Sequence, residues 1–231
     1  MLDEALSYPR DDDDPLMPFL IGSGLLLVSF VIGVTIIPLY GYLLQVLDDG
    51  RTGARGLPEF EDWETIIVDG LKMFVVNLLY TGIPGVIMGG VVSITVFAAL
   101  FGGAFGADAG SGAGAVILVV LLIGGLVSLL ALALVIAGSL MMPAALGRMR
   151  AEDEFSAALE VREVFAIAKN SDYLVAVVLA WVLGFVFSLV GGLLSIVLIG
   201  LPILVYGFMV TFHLYGQGYA RAVEAMDGRA G

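Results

Sequence analysis

Apolar residues fill four long uncharged runs, and short acidic segments separate them. No Asp, Glu, Lys or Arg occurs from Pro15 to Leu47, from Met73 to Ala107, from Ala109 to Gly147 or from Tyr173 to Ala220. A helix needs roughly 20 apolar residues to cross about 30 Å of hydrocarbon at about 1.5 Å per residue. Each of the first three runs suits one crossing. The last is far longer than one crossing can use, so it predicts a hairpin of two helices. The pattern therefore predicts an all-α polytopic membrane protein, a single domain over residues 1–231. Five membrane helices are expected near 17–46, 72–101, 115–146, 173–193 and 196–219.

Two boundary segments carry a helical rather than a uniform pattern. Between 58 and 71, Phe60, Trp63, Ile67, Gly70 and Phe74 recur at spacings of three and four, and Glu61, Thr65, Asp69 and Lys72 share the opposite face. This predicts an amphipathic helix on the inner membrane surface, with Pro58 in its first turn and Trp63 at headgroup depth. Between 152 and 169, Ala158, Val161, Phe165 and Ala168 share a face opposite Glu152, Ser156, Glu160 and Glu163, which predicts a second one.

Charge adds orientation. The chain has 231 residues, 60% hydrophobic and 14% charged, with net charge -12. Soluble domains carry about 25% charged residues. The bases near helix ends fall between helices 1 and 2 (Arg51, Arg55, Lys72), between helices 3 and 4 (Arg148, Arg150, Arg162, Lys169) and in the tail (Arg221, Arg229). With five crossings, the positive-inside rule puts these in the cytoplasm and the N-terminus, with its Asp11–Asp14 run, outside. The start lacks the basic stretch and cleavage site of a secretory signal, so the first run is expected to remain as a helix. The acid excess, with only two lysines, fits life in high salt and excludes nucleic acid as a natural partner. The expected surroundings are a lipid bilayer at the cell membrane, with a second copy or another membrane protein as candidate partner.

Small residues suggest where helices meet. Ala180, Gly184, Ser188 and Gly192 form a four-step stripe, and Gly85 with Gly89 repeats its spacing. Ser29 with Gly33, Gly102 with Gly106 and Gly124 with Ser128 are further pairs. Such residues allow close approach of membrane helices, within a chain or between chains. Pro38, Pro84, Pro143 and Pro202 punctuate four of the spans as kinks or turns.

Chemistry is sparse. Cysteine is absent, which removes thiolate catalysis and Cys-based metal sites. No phosphate-binding loop and no nucleophile elbow occurs. The single histidine, His213, with Gln217 and Asn77, forms the candidate intramembrane polar set. A lone His without carboxylates at depth makes no metal site, so neither cofactor nor metal is expected and an enzyme is disfavoured.

Several stretches carry a family resemblance: "MLDEALSYPRDDDD" ahead of "IGSGLLLVSF", then "IPLYGYLLQVLDDG", "LPEFEDWETIIVDGLK" and "HLYGQGYARA". Together they resemble a family of archaeal, mainly halophilic, membrane proteins catalogued as domain of unknown function 4013. Leu57, Pro58, Phe60, Asp62 and Trp63 are its most specific motif. The resemblance implies a multi-span membrane protein and no activity. The motif itself reads as a helix start and interfacial anchor. Two roles remain: a non-catalytic packing, scaffold or partner-binding module, or a small-solute permease or permease subunit. The second requires a cavity reached by Asn77, His213 or Gln217.

Overall fold

The computed structural model describes residues 1–10, 16–106 and 111–228. The Asp11–Asp14 run and residues 107–110 of the glycine-rich turn lie outside them. Among the described residues the fold is all-α, with no strand. The helices are α1 (Leu2–Ser7), α2 (Leu16–Ser29), α3 (Ile36–Thr52), α4 (Trp63–Asn77), α5 (Ile83–Gly106), α6 (Ser111–Glu152), α7 (Val161–Ala168), α8 (Ser171–Leu194) and α9 (Gly200–Asp227). The chain divides into two compact units, Met1–Val76 with Pro143–Gly231, and Asn77–Met142.

Among the described residues, three helical stretches are long and apolar enough to cross a membrane, Trp63–Phe101, Ile117–Glu152 and Ser171–Leu194. Two of the five expected spans, the first and the last, are not among them. The first run is not one helix over 17–46. It breaks after Ser29, and Ile32 takes an extended φ of -121° before a 3-10 turn at Gly33–Thr35. The β-branched residues Val31, Ile32, Val34 and Thr35 flank Gly33, a local sequence poor in helix formers. Pro38 then falls in the first turn of α3, where a missing N–H costs nothing. It starts a helix rather than kinking one. The resulting pieces have 14 and 17 residues, shorter than a crossing requires. At the other end α9 is long enough, 28 residues, but His213, Gln217 and its tyrosines dilute its apolar character.

The expected surface helix at 58–71 is also corrected. Residues 58–62 are not helical, and α4 begins at Trp63 because Asp62 caps it. The Thr65 amide donates to Asp62 Oδ1 at 3.1 Å and the Thr65 hydroxyl to Oδ2 at 2.7 Å, satisfying a donor that the first helical turn leaves free. These bonds hold the Asp62 carboxyl below the usual carboxylate range. A depressed folded-state pKa stabilises above the unfolded value and is lost as pH falls through the folded one. We expect Asp62→Ala to lower the thermal midpoint at neutral pH and Asp62→Asn to preserve it, Asn being an equal cap. Thermal unfolding in detergent checks this, and equal midpoints for Asp62→Ala and wild type would remove the cap from the account.

From Trp63 the chain stays helical to Gly106, passing through a π turn at Leu78–Gly82. Pro84 follows that turn directly. It has no N–H to return to the Tyr80 carbonyl, and its ring would crowd that carbonyl in a regular helix. The wider π turn relieves the conflict. The second surface helix, expected at 152–169, is likewise interrupted. Asp153 takes a left-handed φ of 51°, a 3-10 turn spans Phe155–Leu159, and α7 is only 8 residues long. Its inner face is Val164, Ile167 and Ala168, whereas Val161 and Phe165 of the expected face are exposed. The turn shifts the register, so the face read across it does not continue.

In the first unit α9 is central. Helices α8, α3 and α2 pack around it, and Leu44, Leu47, Ile66, Met73, Tyr173, Met209 and Leu214 are fully covered. Backbone contacts allow that density. A Cβ on Gly41 would fall into the Ile66 carbonyl of α4, and one on Gly70 into the Ile37 carbonyl of α3. Gly50 and Gly216 mark the matching approach of α3 and α9, against the His213 and Leu47 carbonyls. In the second unit, Gly124 of α6 sits over Thr95 and Gly138 over the Tyr80 carbonyl. The apolar side chains there are largely uncovered, Val86 at 74% and Leu126 at 70% exposure.

Candidate functional site

The polar residues of the first unit gather where α3 ends. Its last turns supply Asp48, Asp49 and Arg51, followed by Gly53 and Gly56. Both glycines are left-handed (φ 73° and 88°), a region that costs a side chain about 1–2 kcal/mol. They terminate the helix and turn the chain back. Tyr8, from the 3-10 turn after α1, donates its hydroxyl to Asp49 Oδ2 at 2.5 Å. Its ring stacks on His213 of α9 at 4.2 Å. The Tyr206 hydroxyl donates to the Leu6 carbonyl, and the Arg10 guanidinium lies 5.6 Å from the Tyr206 ring centre. These contacts place the N-terminal residues beside the end of α3. The break at 30–35 permits this by turning the first apolar run into two helices that pack on each other.

Beside this contact lies a charge network. Arg150 of α6 donates to Asp69 of α4 at 2.9 Å and to Asp48 of α3 at 3.3 Å. Lys72 stands 3.6 Å from Asp69 and Arg51 2.7 Å from Asp48. Asp69 is only 3% exposed, so its charge depends on Arg150. A second group joins Arg148 to Glu152 and Glu160, at 2.6 and 2.8 Å.

Asp49, on the last turns of α3 beyond its apolar stretch, is an acid whose carboxyl is shifted upward. Burial pushes its carboxyl up to about 6, helped by neighbouring Asp48, while the Tyr8 hydrogen bond and Arg150 pull it back. The folded state thus holds this proton more tightly than the unfolded chain. Its contribution to stability falls as pH rises from 3.8 to about 6 and is level above. We expect Asp49→Asn, which still accepts from Tyr8, to raise the melting temperature at about pH 7.5 and to lose that advantage near pH 4. A pH series of melting curves tests it, and a lower midpoint for the variant at about pH 7.5 would contradict it.

Two of the three candidate polar residues meet in this unit. His213 is 2% exposed and its Nδ1 has no hydrogen-bond partner; Gln217, one turn on, has a buried Oε1 in the same condition. Asn77 instead accepts locally from the Thr81 hydroxyl at 2.6 Å. Of the motif residues, Leu57 is buried, Pro58 half-buried, and Phe60 stacks flat on Tyr42 at 4.3 Å. Trp63 lies 5.7 Å from Phe60 and is 41% exposed. The motif is thus a cap (Asp62) followed by an aromatic stack.

The small-residue stripe divides. Ala180 is buried, and a Cβ on Gly184 would meet Thr211 of α9 at 3.1 Å. Ser188 is exposed, and nothing lies within 4 Å of a Cβ on Gly192, Gly85 or Gly89. Four residues turn a helix by about 400°, so a four-step stripe drifts about 40° per step from any fixed face. Ser188 is then about 80° and Gly192 about 120° from Ala180. The face that α8 presents to α9 runs through Tyr173, Ala176, Ala180, Gly184, Phe187 and Gly191. Tyr8 and Asp49 are not singled out by the sequence, and Arg55 and Arg150 enter there only as bases that bear on orientation. For Asp49 the one signal is charge placed at the edge of an apolar run.

A family model matches residues 24–196, that of a protein of unknown function, DUF4013. No curated protein and no solved structure shows significant similarity to the chain.

Proposed function

The chain belongs to the DUF4013 family, and from that premise we propose that it is a bilayer-embedded helical module acting through packing, without chemistry of its own. The observation that carries this is the bare apolar surface of the second unit. Val86, Ile94, Leu100, Leu122, Leu126 and Leu129 are all 65% exposed or more. Large apolar side chains left this open along two long helices are not what soluble monomers show. Lipid is the occupant, since the helices bearing these residues have the length and composition of spans.

In this reading α5, α6, α8 and α9 cross, and α2 with α3 forms a hairpin that does not cross. An even number of crossings puts both termini on one side, the cytoplasm, where Arg51, Arg55, Arg148 and Arg150 lie. The absence of cysteine makes the test clean. Single cysteines at Ser7 and Asp227 should both be labelled by a membrane-impermeant maleimide only in inside-out vesicles, and the chain should stay in the membrane through an alkaline carbonate wash. Labelling from opposite faces would defeat the topology, and release by carbonate would defeat the embedding.

The second reading, a small-solute permease or permease subunit, draws on one observation. His213 lines a cavity of 410 Å³ shared with Glu4, Ser7, Tyr8 and Arg55.

A further inference from the structure

The cavity at His213 holds more polarity than a packing role uses. Its floor is the stacked pair of Tyr8 and His213, and its rim carries Glu4, Ser7, Arg55 and Gly56. The floor is fixed. Tyr8 is tied to Asp49, and the segment before it is tied to Tyr206 through the Leu6 carbonyl. On the rim, left-handed Gly53 and Gly56 bracket the exposed Ala54 and Arg55. Burying an imidazole nitrogen without a partner costs about 1–3 kcal/mol. His213 Nδ1 bears that cost, and His213 is one of the residues that line the cavity.

Two charges of opposite sign face this space. Arg55 pairs with no carboxylate among the described residues, and its planar fork suits a carboxylate ligand in two-point contact. Glu4 is 61% exposed at its side chain, and its Oε2 lies 3.8 Å from the Met1 nitrogen, a contact weak enough to exchange for another ammonium. A simple anion would meet Glu4 unfavourably, and a simple cation would meet Arg55. A molecule carrying both groups satisfies both. We propose that the cavity between α1, the 53–56 turn and α9 binds a small amino-acid-like zwitterion, its carboxylate on Arg55, its ammonium on Glu4 and its body over the Tyr8–His213 pair. The site goes beyond the packing role and stands whether or not the chain moves solutes.

The test uses the full chain purified in detergent, with calorimetric titration of L-alanine, sodium acetate and methylammonium chloride at constant ionic strength. Saturable binding of L-alanine is expected, with each half-ligand at least about ten-fold weaker, since a charged hydrogen bond is worth about 1.5–3 kcal/mol. Arg55→Gln and Glu4→Gln should each weaken L-alanine by about ten-fold or more while leaving the melting temperature unchanged. Failure of L-alanine to bind saturably would overturn the proposal. So would acetate binding as tightly as L-alanine, or L-alanine affinity unchanged in both variants. Loss of membrane embedding would leave these titrations unaffected, so this site and the packing role fail separately.

Discussion

Gly41→Ala is expected to destabilise the protein by about 3 kcal/mol or more, whereas Gly89→Ala, in α5, is expected to be neutral or slightly stabilising. A Cβ on Gly41 would overlap the Ile66 carbonyl and lie 2.9 Å from the Gly70 nitrogen. That atom is backbone on the facing helix, so no rotamer can relieve the overlap. A Cβ on Gly70 would make the reciprocal approach to α3, 3.0 Å from the Gly41 nitrogen. The helices cannot simply separate, because Gly50 on the same α3 is seated against the His213 carbonyl of α9. Moving α3 off α4 drives it into α9. Gly89, in contrast, has nothing within 4 Å. There alanine supplies a gain of about 0.5–1 kcal/mol in helix propensity. Folded yield and melting temperature by size-exclusion and fluorescence compare the two, and equal values would show that the crossing is looser than described.

The second large effect concerns Arg150. We expect Arg150→Met to cost about 3 kcal/mol, and most of that loss to be recovered when Asp69→Asn is added. Asp69 is buried and takes its shortest charged bond, 2.9 Å, from Arg150; Lys72 lies further off at 3.6 Å and is itself 38% exposed. Removing the guanidinium strands the carboxylate in a site that no longer solvates it. Neutralising Asp69 then removes the stranded charge. Asp48 suffers less, because Arg51 still holds it at 2.7 Å. A double-mutant cycle on melting free energies reads the coupling, and additive losses would contradict it.

How far the sequence discloses this fold depends on the range of the interaction involved. The α8–α9 hairpin is legible because a run without charge from Tyr173 to Ala220 exceeds one crossing. The break near Gly33 is equally local, but hydropathy is blind to it: Phe30, Val31 and Ile32 are as apolar as what they interrupt. Only their poor helix propensity and the position of Pro38 hint at a start rather than a kink. Asp62 as a cap is readable from Asp-Trp-Glu-Thr, and a face extrapolated past it into 58–61 conceals it. The four-step stripe on α8 was half right in geometry because a spacing of four departs from the helical period. The crossing glycines, 41 with 70 and 50 with 216, have no regular spacing to betray them. Each matters only through a helix distant in the chain. The same holds for Arg150, whose partners lie 81 and 102 residues away, and for Tyr8, whose partners Asp49 and His213 are both remote. The cavity at His213 is built from such pairings, so sequence could nominate His213 but not Arg55 or Glu4.

The first residues of the chain and the last helix complete one another: Leu6 and Tyr8 rest on Tyr206 and His213, and α3 rests on Gly216. A ribosome makes these partners some two hundred residues apart, at about 5–20 residues per second. The opening stretch must therefore wait for about ten seconds or more with its buried surfaces unmatched. Stop codons anywhere before His213 should yield not a shortened version of the first unit but a product cleared by quality control.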